Sequence, residues 1–227
     1  MFDIEQIHEI CCDVGCHMAL MPLSKMDDIH FLPRSFLSRT EELEFQTKTT
    51  SKTRKNYLAG RFVGQYLLNK HSPNNFHQSI INNNAGAPEI WSNQTKVNTT
   101  ISLSHSNDWV AAIINSNGQP VGIDIEKFKV RASMFEMALF LAHEQERDWV
   151  TQNGQNAMWF YQYWTAKEAL AKAYQKPLTS MKDYSFFSQL NVAKSESQRW
   201  VDNNGTHVQH FKLPCTSYIG AWAIQHG

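Results

Sequence analysis

The stretch Lys96–Glu126 reads KVNTTISLSHSNDWVAAIINSNGQPVGIDIE. "KVNTTISL" alternates apolar and polar residues, "WVAAIIN" is a short apolar run, and "NSNGQP" is a turn cluster leading into "VGIDIE". Three consecutive antiparallel strands are the economical reading. In the third, Val121, Ile123 and Ile125 alternate with Gly122, Asp124 and Glu126, so one face packs and the other carries two carboxylates. Their Cα atoms lie about 6.5–7 Å apart on an extended strand, where like charges repel. Either the acids line an exposed edge and face water, or a divalent cation sits between them.

Upstream, "TRKNYLAGRFVGQYLLN" places Leu58, Phe62, Tyr66 and Leu67 at helical spacing, predicting a helix over about Thr53–Asn69. The polar run Ser72–Pro88 reads as a connection. Downstream, helices are expected over Ser133–Trp149 and Gln155–Tyr174, the second ended by Pro177. "YSFFSQL" and "SYIGAWAI" have strand composition and flank the polar, glycine-containing "VDNNGTHV". The sum is α+β with mostly antiparallel sheet, not the strict βαβ alternation of a doubly wound fold.

The chain has 227 residues, 42% of them hydrophobic, enough for one large domain or two small ones. Lys plus Arg equals Asp plus Glu at 21 each, so net charge gives no reason to expect nucleic acid or an anionic membrane as partner. The N-terminus carries acids where a signal peptide would be basic, and no window approaches the roughly 18 apolar residues of a membrane span. These features predict a soluble cytoplasmic protein. Cys11, Cys12, Cys16 and Cys215 are too unevenly placed for a disulfide framework, and reduced thiols are expected. "CCDVGCH" has no second Cys/His pair at a zinc-like spacing, so a partly buried N-terminal segment is expected there rather than structural zinc.

On the helix "NAMWFYQYWTAKEALAKAY", Trp159, Tyr163, Ala166, Leu170 and Ala173 form one core-facing stripe. Glu168 lies opposite, with Tyr161, Trp164 and Lys172 within about 40° of it around the axis. Glu168 and Lys172 are either a plain i,i+4 surface pair or part of a site, and the helix alone does not choose. "KTTSKTRK" puts Lys52, Arg54 and Lys55 near a helix N-terminus, which suits either a phosphate or scattered surface cations. His105, in "SLSHS", falls where a strand gives way to a turn, so it is either aimed into a cleft or a satisfied polar residue.

Taken in order, "SLSHS" (Ser102–Ser106), "VGIDIE" (Val121–Glu126) and "WTAKEALAK" (Trp164–Lys172) resemble the three motifs of the Sfp-type 4'-phosphopantetheinyl transferases. "AGAP" (Ala85–Pro88) and "YLAGR" (Tyr57–Arg61) look like two weaker patterns of the same family, and the resemblance spans roughly Arg54–Leu178. It implies a pseudo-twofold chain of two similar α+β halves, residues 1–119 and 120–227, forming one compact unit that works as a monomer with the site between the halves. It also implies Mg²⁺-dependent transfer of phosphopantetheine from coenzyme A to a serine of an apo acyl or peptidyl carrier protein, releasing adenosine 3',5'-bisphosphate.

Residue by residue, the resemblance implies Asp124, Glu126 and Glu168 as Mg²⁺ ligands, and Lys172 as a pyrophosphate contact. Lys167 is implied as a second phosphate contact, and His105 with its neighbour Ser104 as contacts to coenzyme A phosphate. Arg54, Lys55 and Arg61 are candidates for the 3'-phosphate. The Gly86–Pro88 turn is placed beside the adenine, and Glu144 matches a carboxylate proposed as the base, a role that a metal-polarised water could fill instead. One departure stands out: "AYQKPL" (Ala173–Leu178) lacks the glycine that usually follows the helix motif. A non-catalytic module binding coenzyme A or carrier proteins, and another Mg²⁺-dependent phosphoryl-transfer enzyme, are the competing function classes.

Overall fold

Strand pairing is antiparallel throughout the computed structural model, which describes residues 7–26, 34–72, 78–190, 199–215 and 217–226. The chain divides into two compact units, Met1–Gln119 and Pro120–Gly227. The first begins with the hairpin β1 (His8–Asp13) and β2 (Cys16–Pro22), followed by α1 (Arg39–Thr47) and α2 (Ser51–His71). A small sheet of β3 (Gln78–Asn82), β4 (Pro88–Ser92) and β5 (Thr95–Lys96) precedes the hairpin β6 (Thr100–Ser106) and β7 (Trp109–Asn115). The main sheet runs β1-β2-β7-β6, with α2 packed across it.

The second unit opens with β8 (Val121–Lys127), continues through α3 (Met134–Leu141), α4 (Arg147–Asn153) and α5 (Ala157–Ala173), and has a short α6 (Phe187–Leu190). It closes with β9 (Arg199–Val201), β10 (His207–Lys212) and β11 (Tyr218–Ile224), in sheet order β8-β11-β10-β9 under α5. The units share a topology. In each, an opening strand (β2 or β8) pairs with the last strand of a later hairpin (β7 or β11), and a long helix from the intervening segment covers that pair. This repeat of element order left no trace in the residue pattern.

Several expectations need correcting. β8 does not pair with β7, because both edges of β7 are taken, by β2 and β6, and β8 finds its partner in β11. The expected helix over Ser133–Trp149 is broken by a 3-10 turn at Glu144–Glu146, which carries the Glu146 side chain inward to full burial. "YSFFSQL" ends in the helical turn α6 rather than forming a strand. The connection Ser72–Pro88, of which 73–77 lie outside the described residues, contains β3. The "CCDVGCH" stretch is a hairpin whose Gly15 takes φ +72°, and all four cysteines are free thiols.

α2 starts ahead of the expected Thr53 because Thr50 caps it reciprocally with Thr53, and it runs past Asn69 to His71. On α5 the predicted stripe is the core contact: Trp159, Tyr163, Ala166, Leu170 and Ala173 are all 7% exposed or less. The glycine-free loop after α5 also has a physical account. Lys176 N donates to Ala171 O and Gln175 N to Lys172 O, a Schellman cap, with Gln175 at φ +50° in the position glycine usually takes. The sequence departs from the pattern, and the backbone still turns. Among the described residues no helix is long and apolar enough to cross a membrane.

Candidate active site

Gly122 decides how the acidic strand meets the helix. A Cβ there would lie 1.9 Å from Ala169 O and 2.7 Å from Ala173 N, so β8 and α5 touch backbone to backbone. Asp124 is paired with Ala221 and Glu126 with Ile219, and both of those partners belong to the core under α5. The acids therefore point to the helix side, and Ile123 and Ile125, on the opposite face, are buried as well. β8 is an edge strand of its sheet, but its acids do not both face water: Asp124 is only 6% exposed and Glu126 is partly buried.

α5 answers with Glu168 and Lys172. Lys172 Nζ donates to Asp124 Oδ1 at 2.8 Å and to Ile123 O at 2.9 Å, so it is an ion-pair partner across elements and not a surface rung along the helix. Burial, then the charge of Asp124, and to a smaller extent that of Glu126, raise the Glu168 carboxyl from 4.5 to about 7, with Lys172 pulling the other way. The ligand oxygens of the three acids are not drawn to within 4.8 Å of one another, as mutual repulsion dictates. An all-oxygen donor set is nonetheless what a hard divalent cation such as Mg²⁺ prefers.

The raised Glu168 fixes the sign of a pH effect. Because the folded protein holds this proton more tightly than the unfolded chain, the group's contribution is full below about pH 4.5 and is lost as pH rises through about 7. In EDTA, moving from pH 6 to pH 8 should cost unit 2 on the order of 1 kcal/mol from this group. Urea midpoints at the two pH values should show that loss in the natural protein and a smaller one in Glu168→Gln.

Tyr161 and Trp164, expected beside Glu168, have separate tasks. Tyr161 is buried and its hydroxyl donates to Lys129 O at 2.7 Å, pinning the segment after β8. Trp164 stacks on Phe160 and lines a groove with Met137, Phe140 and Leu178. Lys167 is corrected outright. It is fully buried, with Nζ donating to Glu146 Oε2 at 2.9 Å, to Met181 O at 3.1 Å and to Tyr184 O. Its charge is consumed inside the core, so it is no surface contact for phosphate. Glu144 is exposed on the 3-10 turn, and its neighbour Glu146 is the buried one.

In the first unit a cleft of about 280 Å³ opens between the start of α2 and the end of β6. Arg61, Ser104 and His105 line it together with Lys48, Asn56 and Tyr57. His105 is exposed one residue before β6 ends, as its position in the sequence suggested. Arg61 is 3% exposed and held by Glu41 at 3.6 Å, Glu44 at 3.5 Å and Asn82 Oδ1 at 3.1 Å. Most of its charge is therefore spent on the fold.

The other candidates of this unit lie outside the lining. Arg54 Nε donates to Lys48 O at 2.8 Å, and neither Arg54, Lys55, Gly86 nor Pro88 lines the cleft. Gly86, at φ +84°, and Pro88 belong to the β3–β4 turn, which reaches Arg61 through Asn82. Sequence reasoning missed Glu41, whose signal was the capping box it makes with Ser38.

Residues 120–223 match the family model of the 4'-phosphopantetheinyl transferase superfamily. The matched stretch takes in nearly all of the second unit. The chain is also similar to the 4'-phosphopantetheinyl transferase gsp of Aneurinibacillus migulanus, 31% identical over 126 residues that make up 51% of this chain and 44% of that protein. It thus spans less than half the length of that curated relative. Among solved structures it is similar to a holo-(acyl-carrier-protein) synthase from Bacillus anthracis str. Ames in complex with CoA (3',5'-ADP), at 19% identity and a TM-score of 0.37. That match covers 44% of this chain and 93% of the other. Within the matched stretch, two candidate site residues, Lys172 and Asp124, form an ion pair at 2.8 Å.

Proposed function

We propose that the protein transfers 4'-phosphopantetheine from coenzyme A to a serine hydroxyl of an acyl or peptidyl carrier protein, with Mg²⁺, releasing adenosine 3',5'-bisphosphate. One observation carries the reading: in the unit that matches this superfamily's model, Lys172 of α5 is held against Asp124 of β8, and the charges of Asp124 and Glu126 add to burial in raising the Glu168 carboxyl to about 7. Three acids forced together beside a lysine cost stability, and a binding module has no use for that cost.

In the reaction the serine oxygen forms a bond to the pyrophosphate phosphorus nearer the pantetheine, and the bond from that phosphorus to the adenosine bisphosphate oxygen breaks. Lys172, oriented by Asp124 and Ile123 O, places a positive charge for the pyrophosphate oxygens. Exposed Glu144, or a water polarised by the cation, would accept the serine proton. Asp124, Glu126 and Glu168 would hold the cation, which when bound neutralises charge on the phosphate oxygens. Ser104 and His105 are assigned to coenzyme A phosphate on the resemblance of "SLSHS", and their lining of one cleft with Lys48 supports it.

The test is intact-protein mass spectrometry of apo carrier proteins incubated with this protein, coenzyme A and Mg²⁺, against an EDTA control. A gain of one phosphopantetheine that EDTA abolishes is the expected result. Coenzyme A binding without transfer to any carrier type would replace the proposal with a binding module.

A further inference from the structure

Far along the sequence from the acidic strand, the first unit gathers a second set of ligand-bearing side chains. Glu9 lies on β1, His17 on β2, and His71 is the last residue of α2. In the β1–β2 ladder Glu9 opposes Ala19 and Cys11 opposes His17, so Glu9 and His17 project from one face as diagonal neighbours. Ala19 on that face packs in the same core cluster as Leu58, Val63 and Leu67 of α2, and the end of α2 delivers His71 to the pair. One ligand atom from each of the three residues lies within 4.8 Å of the others.

The geometry within the group is directed. His71 Nε2 meets Glu9 Oε1 at 2.5 Å, while the other oxygen, Oε2, is held by Lys70 Nζ at 2.7 Å and Tyr66 OH at 2.8 Å. Outer partners thus fix the carboxylate by one oxygen and aim the second at the imidazole, the arrangement that orients metal ligands. The His17 and His71 rings stack with centroids 3.6 Å apart and planes 6° from parallel. A simple ion pair between helix and hairpin would need one histidine only, and Lys70 already serves Glu9. A second imidazole brings a third ligand-type side chain to the group, and because the rings lie in parallel planes one of them must turn before both nitrogens address one ion.

We propose that Glu9, His17 and His71 form a binding site for a transition-metal ion of the zinc class, clasping the β1–β2 hairpin to the C-terminal end of α2. Two imidazole nitrogens and one carboxylate oxygen suit Zn²⁺, with bonds of about 2.0–2.2 Å, and do not suit Mg²⁺, which takes oxygen. Ligand atoms around such an ion stand about 3.3 Å apart, so the His71–Glu9 contact opens slightly and the His17 ring turns toward the shared point. Three protein ligands leave a fourth position for water. No second Cys/His pair stands near "CCDVGCH" in the chain; the fold brings His71 to His17 from the far end of a helix.

The test uses the full, metal-free chain with ZnCl2 in isothermal titration and thermal melting, and Co²⁺ as a spectroscopic probe. One zinc per chain should bind and, at a hundredfold excess over its Kd, raise Tm by about 5–10 °C. His17→Phe keeps a ring against His71 but removes both nitrogens, so zinc affinity should fall at least tenfold while the metal-free Tm stays near that of the natural protein. Asp124→Ala should leave zinc binding unchanged. Loss of binding in Asp124→Ala, unaltered binding in His17→Phe, or a thiolate-to-cobalt band from Cys11, Cys12 or Cys16 would each overturn the proposal. Absence of binding at micromolar zinc would do the same, and leave the cluster as a Glu9–His71–Lys70 ionic clasp.

Discussion

Lys167→Ala should destabilise the second unit by about 3–5 kcal/mol, the cost of leaving one member of a buried ion pair alone. The pair is fully enclosed: Lys167 and Glu146 side chains are both 0% exposed and 2.9 Å apart. Glu146 is otherwise satisfied. Its Oε2 accepts from Tyr163 OH at 2.6 Å and from His143 N at 2.9 Å, and its Oε1 from Phe186 N at 2.5 Å. Burial pulls the Lys167 ammonium down from its ordinary range, while the Glu146 charge opposes that shift. Removing the lysine strands the carboxylate and also frees the carbonyls of Met181 and Tyr184.

Urea unfolding followed by tryptophan fluorescence should show the midpoint collapse. Lys167→Met combined with Glu146→Gln should recover part of it, because the stranded charge is gone. A loss below about 1 kcal/mol in Lys167→Ala would mean water reaches the pair. Since α5 carries both Lys167 inward and Glu168 to the acidic group, transfer activity should fall with the fold in this variant, and urea-free assays below its Tm should restore most of it.

Asp124→Ala should have the opposite character: transfer falls at least a hundredfold, about 3 kcal/mol of barrier, with the fold nearly intact. The side chain meets Lys172 at 2.8 Å and its charge raises Glu168, so its loss removes favourable and unfavourable interactions together. Net stability should change by about 1 kcal/mol or less. Without Asp124, Glu168 should titrate closer to the ordinary carboxylate range, and the drop in stability between pH 6 and pH 8 should shrink with it. Single-turnover mass spectrometry of the carrier, alongside thermal melting, separates the two effects. Full transfer activity with Mg²⁺ in Asp124→Ala would refute the assignment of the acids to the cation.

Local rules read some parts of this protein well. The core stripe of α5 was legible because a helix repeats every 3.6 residues, and apolar residues at that period have one face to bury. The β6–β7 hairpin was legible from alternation and a turn, with His105 near its end, since both strands are neighbours in the chain. Lys167 was misread, because a lysine in a polar motif gives no sign that a buried glutamate on a distant turn awaits it.

The sequence by itself determined the helical course of α2 and α5, the strands β6 to β8 and the apolar stripe, because these depend on side-chain type and short-range period. Only the tertiary structure decided which strand β8 joins, that Asp124 and Glu126 face α5, and that Glu9, His17 and His71 meet. Those outcomes depend on contacts between segments far apart in the chain, whose pairing is set by which sheet edges remain open and how closely backbones can approach. Gly122 is the clearest case: one missing Cβ lets a helix lie against a strand, and the charges on both are then forced into the same few ångströms.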